Sequence, residues 1–211
     1  MKILKLKLFQ ETACYKKPFA FKVAETYPLP PYSTVIGMLH KVLNAKNGEY
    51  FDMDVSVQGE YESIFSNYQN LRMYKSDGQV TAMPRNVHQL LNINLIIHVQ
   101  AEDEIIDKLY KNLLEGKATI TLGRNEDLVR IDEIKIIQEP IEVFRVLANH
   151  SAYVPNRNVP GIKYRLNTVY TIENELRKWN KVDVTYIEKD TNVQLRKALQ
   201  DEDGDFVYFY K

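Results

Sequence analysis

TYPLPPYSTVIGML, Thr26–Leu39, joins a rigid lead-in to the start of a helix. Pro28, Pro30 and Pro31 cannot sit inside a helix and impose an extended approach. Ser33 or Thr34 then offers a side-chain oxygen as an N-cap. From there Val35, Ile36, Leu39, Val42 and Leu43 share one helical face, which predicts a helix from about Ser33 to Ala45 stopped by Lys46, Asn47 and Gly48. A helix start carries free N–H groups and partial positive charge, which suits a phosphate. The plainer reading is a capped helix behind a proline-stiffened loop, because most caps bind no ligand.

Working outward, residues 2–9 read as a strand with Leu4, Leu6 and Leu8 on one face and Lys5 and Lys7 on the other. The connection over 10–32 is long and carries Tyr15, Lys16, Lys17, Phe19, Phe21 and Lys22. Basic and aromatic residues interleaved in this way can hold phosphates and stack on unpaired bases. The alternative is a small strand, Phe19–Val23, tucked under the helix with its lysines solvated. Residues 53–61 alternate as a second strand, and Leu91, Ile93, Leu95, Ile97 and Val99 predict a third with Asn92, Asn94 and His98 outward. A second helix is expected over Asp103–Glu115, ended by Gly116, and a last strand within 118–137, broken at Gly123–Asp127.

The order β-α-β, β-α-β predicts an α+β, ferredoxin-like domain over residues 1–137, with both helices on one sheet face. The other face would show Lys5, Lys7, Ser56, Gln58, Asn92, Asn94 and His98, with no stacking aromatic among them. A cover from the C-terminal part is the expected use of that face. Residues 62–90 exceed what joining two adjacent strands needs, and Asp77-Gly78 is a turn signal. They predict a protruding hairpin with Arg72, Lys75, Arg85 and His88 along its arms. Residues 138–211 read as a small β-rich appendage, with strands at Val143–Leu147, Leu166–Ile172, Val182–Ile187 and Phe206–Tyr210 and a helical turn at Asn174–Trp179.

Composition narrows the classes. The 211 residues suit one compact domain with at most a small addition, and 45% apolar content supports a sizeable core. A single cysteine, Cys14, rules out an internal disulfide and fits a reducing compartment. Lys2, Lys5 and Lys7 interrupt any signal-peptide pattern, and no apolar run is long enough to span a bilayer, so a cytoplasmic protein without membrane contact is expected. The 28 basic and 28 acidic residues cancel, unlike the balance of a general nucleic-acid coat protein. Yet residues 1–50 hold 8 basic against 3 acidic side chains, and residues 101–150 hold 7 against 11. Such a split suits local RNA contact beside protein contact, and equally a set of solvated faces. His40, His88, His98 and His150 lack zinc-like spacing, and no Walker-type glycine loop is present, so neither metal nor nucleotide cofactor is expected.

The run Pro30-Pro31-Tyr32-Ser33-Thr34-Val35-Ile36-Gly37-Met38-Leu39 resembles the N-terminal signature of the CRISPR-associated Cas-five family of the RAMP superfamily. Leu122-Gly123-Arg124-Asn125-Glu126-Asp127-Leu128 resembles that family's glycine-containing loop. The element order extends the likeness over residues 1–137, most like the type I-B branch. The resemblance implies an RRM-like fold whose hairpin acts as a thumb on guide RNA. It implies a non-catalytic subunit of a type I Cascade complex that caps the 5′ handle of CRISPR RNA in antiviral defence. Its partners would be a Cas-seven backbone subunit, a Cas-eight large subunit and target DNA within the complex. Lys16, Lys17, Lys22, Ser33, Thr34, Gly37, Arg72, Lys75, Arg85, Gly123 and Arg124 are then the RNA-binding candidates. Hydroxyls at 33 and 34 would meet phosphate, Arg124 would clamp one bidentately, and Gly37 and Gly123 would admit close backbone approach.

Two rivals stay open. Metal-independent cleavage of the CRISPR repeat needs an acid and a base, and His40-Lys41 with Tyr32, or His88 with Arg85, are the groups available. Neither set matches a family catalytic pattern residue by residue, and related complexes leave processing to a separate Cas-six nuclease. The other rival is a protein-only scaffold, which the zero net charge favours.

Overall fold

The computed structural model describes residues 2–20, 23–46, 48–116, 119–155, 158–189 and 194–211. Alternation of Leu4, Leu6 and Leu8 with lysines makes β1 (Ile3–Ala13), whose leucines all enter the core. β2 (Val23–Ala24), helix α1 (Tyr32–Val42), β3 (Met53–Glu60), β4 (Ser63–Tyr74), β5 (Val80–Ala101), helix α2 (Asp103–Glu115) and β6 (Arg130–Ile137) follow. The remainder adds β7 (Ile141–Leu147), β8 (Ser151–Val154), β9 (Ile162–Glu173), β10 (Leu176–Ile187), β11 (Gln194–Gln200) and β12 (Phe206–Val207).

The main sheet runs β6-β1-β5-β3-β8-β10-β9, with antiparallel pairing throughout this path. Its first four strands are the ferredoxin-like order, and α1 and α2 close one face over Leu6, Val55, Leu95 and Ile97. Residues 138–211 supply β8, β9 and β10 to this same sheet and build a second sheet, β12-β11-β7. Val35, Leu39 and Tyr32 of α1 and Ile106 and Leu109 of α2 are fully buried. Truncating Leu39, Ile106 or Leu109 to Ala would cost about 2–5 kcal/mol. Among the described residues no helix is long and apolar enough to cross a membrane.

Several local expectations need correction. The cap of α1 is Pro31, with φ −65 and ψ 153, and no side chain caps the helix. Proline needs no N–H there, so Ser33 and Thr34 fall within the first turn. The helix ends sooner than the periodicity suggests, because Asn44 takes the left-handed conformation with φ 56. The inward alternation of β5 breaks at Asn92, φ 49, so Leu90 and Ile93 are buried while Leu91 is half-buried. Asn174–Trp179 is no helical turn. Asn174 and Glu175 both have positive φ and form the two-residue tip of a hairpin between β9 and β10. The expected strand Phe19–Val23 includes residues 21 and 22, outside the described set, and Phe19 is exposed rather than tucked under the helix.

The polar face of the sheet is covered from within the chain. Gln58 donates to the Phe206 carbonyl, Ser56 Oγ accepts from Tyr208 N (2.9 Å), and the Asp54 carboxylate accepts from Tyr210 N (3.2 Å) and Lys211 N (2.8 Å). The alternating polar residues of β3 thus bind the backbone of the C-terminal tail rather than water. Lys5 is fully buried, with Asp201, Asp203 and Asp205 at 2.6, 2.8 and 2.7 Å from Nζ. His98 Nε2 lies 3.0 Å from Asp201. Burial holds His98 below its usual pKa, so the neutral ring donates to that carboxylate and its other nitrogen stays unprotonated and unpartnered.

Candidate nucleic-acid interface

The insertion between β3 and β5 is a hairpin. β4 pairs with the first half of β5 from Ser63↔Leu91 to Tyr74↔Val80. Its tip closes through Gly78 N to Lys75 O (3.0 Å) and Gln79 N to Asp77 Oδ1 (3.0 Å), where the Asp-Gly signal placed it. β5 is one strand of 22 residues, so the hairpin arm continues directly into the centre of the sheet. By register Tyr68, Arg72 and Tyr74 share one hairpin face, with the two tyrosines 69% and 76% exposed. Gln69, Leu71, Met73, Met83 and Arg85 share the other.

Beside the middle of the hairpin lies a cleft of about 220 Å³, lined by Lys16, Gln69, Arg72, Arg85, Arg124 and Glu126 among others. Three separate parts of the chain build it. The first is the loop after β1, bridged at Lys16↔Thr26 and by Tyr15 N to Thr26 Oγ1 (2.9 Å). The hairpin arms are the second, and the glycine-containing loop before β6 is the third. Arg85 donates from Nη2 to the Ala20 carbonyl (2.9 Å), while its Nε is buried without a partner. Three of the residues named from sequence, Lys16, Arg85 and Arg124, therefore meet in one place, and Arg72 lines it from the strand whose side chain turns to the opposite face.

The glycine-containing loop is organised by Asp127, a residue whose role no sequence motif announced. Its carboxylate is 1% exposed and accepts from Cys14 N (3.0 Å), Arg124 N (2.8 Å) and the Arg124 guanidinium (2.8 Å). Burial opposes the charge on Arg124, but the bonds and charge of Asp127 outweigh it and hold the guanidinium more firmly protonated than usual. Arg124 also meets Glu126 (3.0 Å) and Gln69 (3.3 Å). Its fork is thus engaged on Asp127, contrary to the free bidentate clamp expected of it, and it ties the loop to the hairpin. Gly123 has φ +112, and a Cβ there would lie 2.7 Å from Asp127 Oδ2. The space expected to admit a ligand at Gly123 is therefore filled by the chain's own carboxylate. The spacing Arg124-x-x-Asp127 was the signal that could have revealed this partner.

The other candidates lie apart from the cleft lining. Ser33 and Thr34 are half-buried on α1, and Gly37 is exposed, with open space for 4 Å around the position a Cβ would take. Lys17 pairs with Glu25 (3.2 Å), Lys75 is exposed at the hairpin tip, and Lys22 lies outside the described residues. Of the groups considered for catalysis, Tyr32 is fully buried. Phe51 N donates to His40 Nε2 (3.0 Å), so His40 Nδ1 carries the proton and donates to Ile36 O (2.8 Å).

The fold resembles solved CRISPR proteins. A chain of a CRISPR RNA-guided surveillance complex superposes with a TM-score of 0.65 at 10% identity, over 92% of this chain and 91% of that one. A CRISPR protein from Archaeoglobus fulgidus gives 0.54 at 12% identity, over 98% of both chains. A further Cas protein gives 0.51 at 10% identity, over 95% and 96%. At these identities the likeness is one of fold. A search of curated proteins found no match. The family model described as "CRISPR-associated protein (Cas_Cas5)" matches residues 3–197. With nearly its whole length matched, the chain belongs to the CRISPR-associated Cas-five family.

Proposed function

We propose that this chain is a non-catalytic, RNA-binding subunit of a type I Cascade complex. It caps the 5′ handle of CRISPR RNA and contacts a Cas-seven backbone subunit and a Cas-eight large subunit. The observation that carries the reading is the cleft beside the middle of the hairpin, where Lys16, Arg85 and Arg124 converge. A phosphate there would be held by Lys16 and by Arg85, whose Nε has no protein acceptor. Arg124 positions the wall through Asp127 and Gln69. Tyr68 and Tyr74, interleaved with Arg72 on one hairpin face, would stack on unpaired handle bases. The surveillance-complex chain of like fold supports this setting.

The test is co-purification from cells carrying the CRISPR locus, followed by sequencing of the bound small RNA. The expected result is guide RNA sharing one 5′ end, lost when Lys16 and Arg85 are both replaced by Ala. A complex that assembles without RNA contact from this subunit would favour the protein-only scaffold.

A further inference from the structure

The β9–β10 ribbon has a use that the handle cleft does not account for. Its base is buried through Leu166, Thr168, Val184 and Tyr186. Beyond Val169 it leaves the core, and Tyr170–Glu173 and Leu176–Lys178 are all exposed. Residues 162–187 carry five basic side chains, Lys163, Arg165, Arg177, Lys178 and Lys181, against Glu173, Glu175 and Asp183, in a chain whose net charge is zero. The register sets Tyr170 opposite Trp179 and Ile172 opposite Arg177, all on one face. The Tyr170 and Trp179 rings meet edge to face at 5.0 Å, and the Arg177 guanidinium lies 4.5 Å over the Tyr170 ring. These contacts order three flat groups on a ribbon whose tip is exposed.

We propose that this ribbon is a second nucleic-acid contact, taking an unpaired strand whose bases stack on the Arg177–Tyr170–Trp179 face. Every base has a π-face, so such a platform tolerates any sequence. Lys181 would neutralise phosphate. Arg165 would join it, since its own side chain is exposed and its pair with Asp183 is long (3.7 Å) and therefore weak. Trp, Tyr and Arg also anchor protein interfaces. The local excess of positive charge favours a polyanion over a protein, which would have to bring an acidic rim of its own.

Trp179 is the chain's single tryptophan, so its fluorescence reports on this face alone. The experiment titrates the full chain with oligouridylate and oligothymidylate of about 15 nucleotides, neither containing a handle sequence. Saturable quenching is expected, weakened by salt with a slope of about −0.7 per phosphate contacted. Arg177→Ala combined with Lys181→Ala should weaken it at least about tenfold, with far-UV circular dichroism checking that the variant folds. Arg85→Ala in the cleft should leave the quenching unchanged, so failure of the handle reading and failure of this one are separable. Unquenched Trp179 at saturating oligonucleotide would overturn the proposal. So would quenching by a neighbouring protein subunit but not by either oligonucleotide, which would make the ribbon a protein dock.

Discussion

Replacing Lys5 by Met removes a cation from beneath the C-terminal cover while keeping the length of the side chain. Lys5 Nζ holds Asp201 at 2.6 Å, Asp203 at 2.8 Å and Asp205 at 2.7 Å. Their side chains are 0%, 31% and 13% exposed in that order. Water can take over at Asp203, which also keeps Lys135 at 2.9 Å, so its share of the loss is small. Asp201 has no such relief and would be left charged, buried and short of its strongest partner. Breaking a buried pair from one side costs about 3–5 kcal/mol, against a total stability of about 5–15 kcal/mol for an ordinary domain. We expect a loss in that range on urea unfolding followed by circular dichroism. Hydrogen exchange should quicken first at the Tyr208 and Tyr210 amides, which rest on Ser56 and Asp54. Adding Asp201→Asn to Lys5→Met should return part of the loss, since replacing both partners is far milder than removing one. A single variant within about 1 kcal/mol of the parent would refute the idea that this cluster fastens the cover.

Further outcomes follow from the same structure. Hydrogen bonds from His150 and Lys5 hold Asp205 at about 2, below its ordinary 3.8. Its contribution is therefore complete above about pH 4 and lost as pH falls through about 2, and Asp205→Asn should flatten that limb of the stability–pH curve. Burial depresses His98 from 6.5, so a further loss begins as the pH drops below that value. Gly37→Ala meets no neighbour within 4 Å and should stabilise the helix by about 0.5–1 kcal/mol; weaker handle binding by that stabler protein would place ligand at Gly37. Exchanging Arg72–Arg85 for a short Gly-Ser turn should leave circular dichroism native but impair assembly on guide RNA in size-exclusion chromatography, and normal assembly would end the thumb reading. The isolated protein should not cleave labelled repeat RNA with or without magnesium, and site-specific products abolished by His88→Ala would promote the nuclease alternative.

Much of the fold was legible because its signals are short-range. Period-two and helical spacing marked β1, β3 and α2, Gly116 marked the end of α2, and Asp77-Gly78 marked the hairpin tip. What was missed depends on partners far along the chain or on side-chain choice. A C-terminal cover over the polar sheet face was expected, but that Asp54, Ser56 and Gln58 bind its backbone shows only with the tail at 206–211 in place. Asn174-Glu175 lacks the glycine that usually announces a two-residue turn, so pairing of β9 with β10 decides its conformation. Arginine type alone suggested a phosphate clamp at 124, but the carboxylate three residues on claims it. Lys16 and Arg85 were found by chemistry, whereas their meeting in one cleft depends on loop and hairpin closing over each other.

The zero net charge, which on composition alone favours a protein-only role, has less weight once burial is known. Among the described residues the buried charged side chains include Asp54, Asp127, Asp201 and Asp205 but only one lysine or arginine, Lys5. Asp54 and Asp127 accept from backbone N–H groups, and Asp201 and Asp205 enclose Lys5. Among the described residues, which hold 25 basic and 27 acidic side chains, setting one base and four acids aside leaves 24 against 23, an outer excess of one positive charge. Ion pairs with a polyanion can be made only by charges that it can reach, so the outer set supplies those contacts. The inner acids serve the fold: Asp127 shapes the cleft wall, and Asp201 and Asp205 hold the cover on the sheet. With that face closed, the hairpin cleft still gathers cations and the β9–β10 ribbon still sets Arg177 against aromatic rings within reach of a strand.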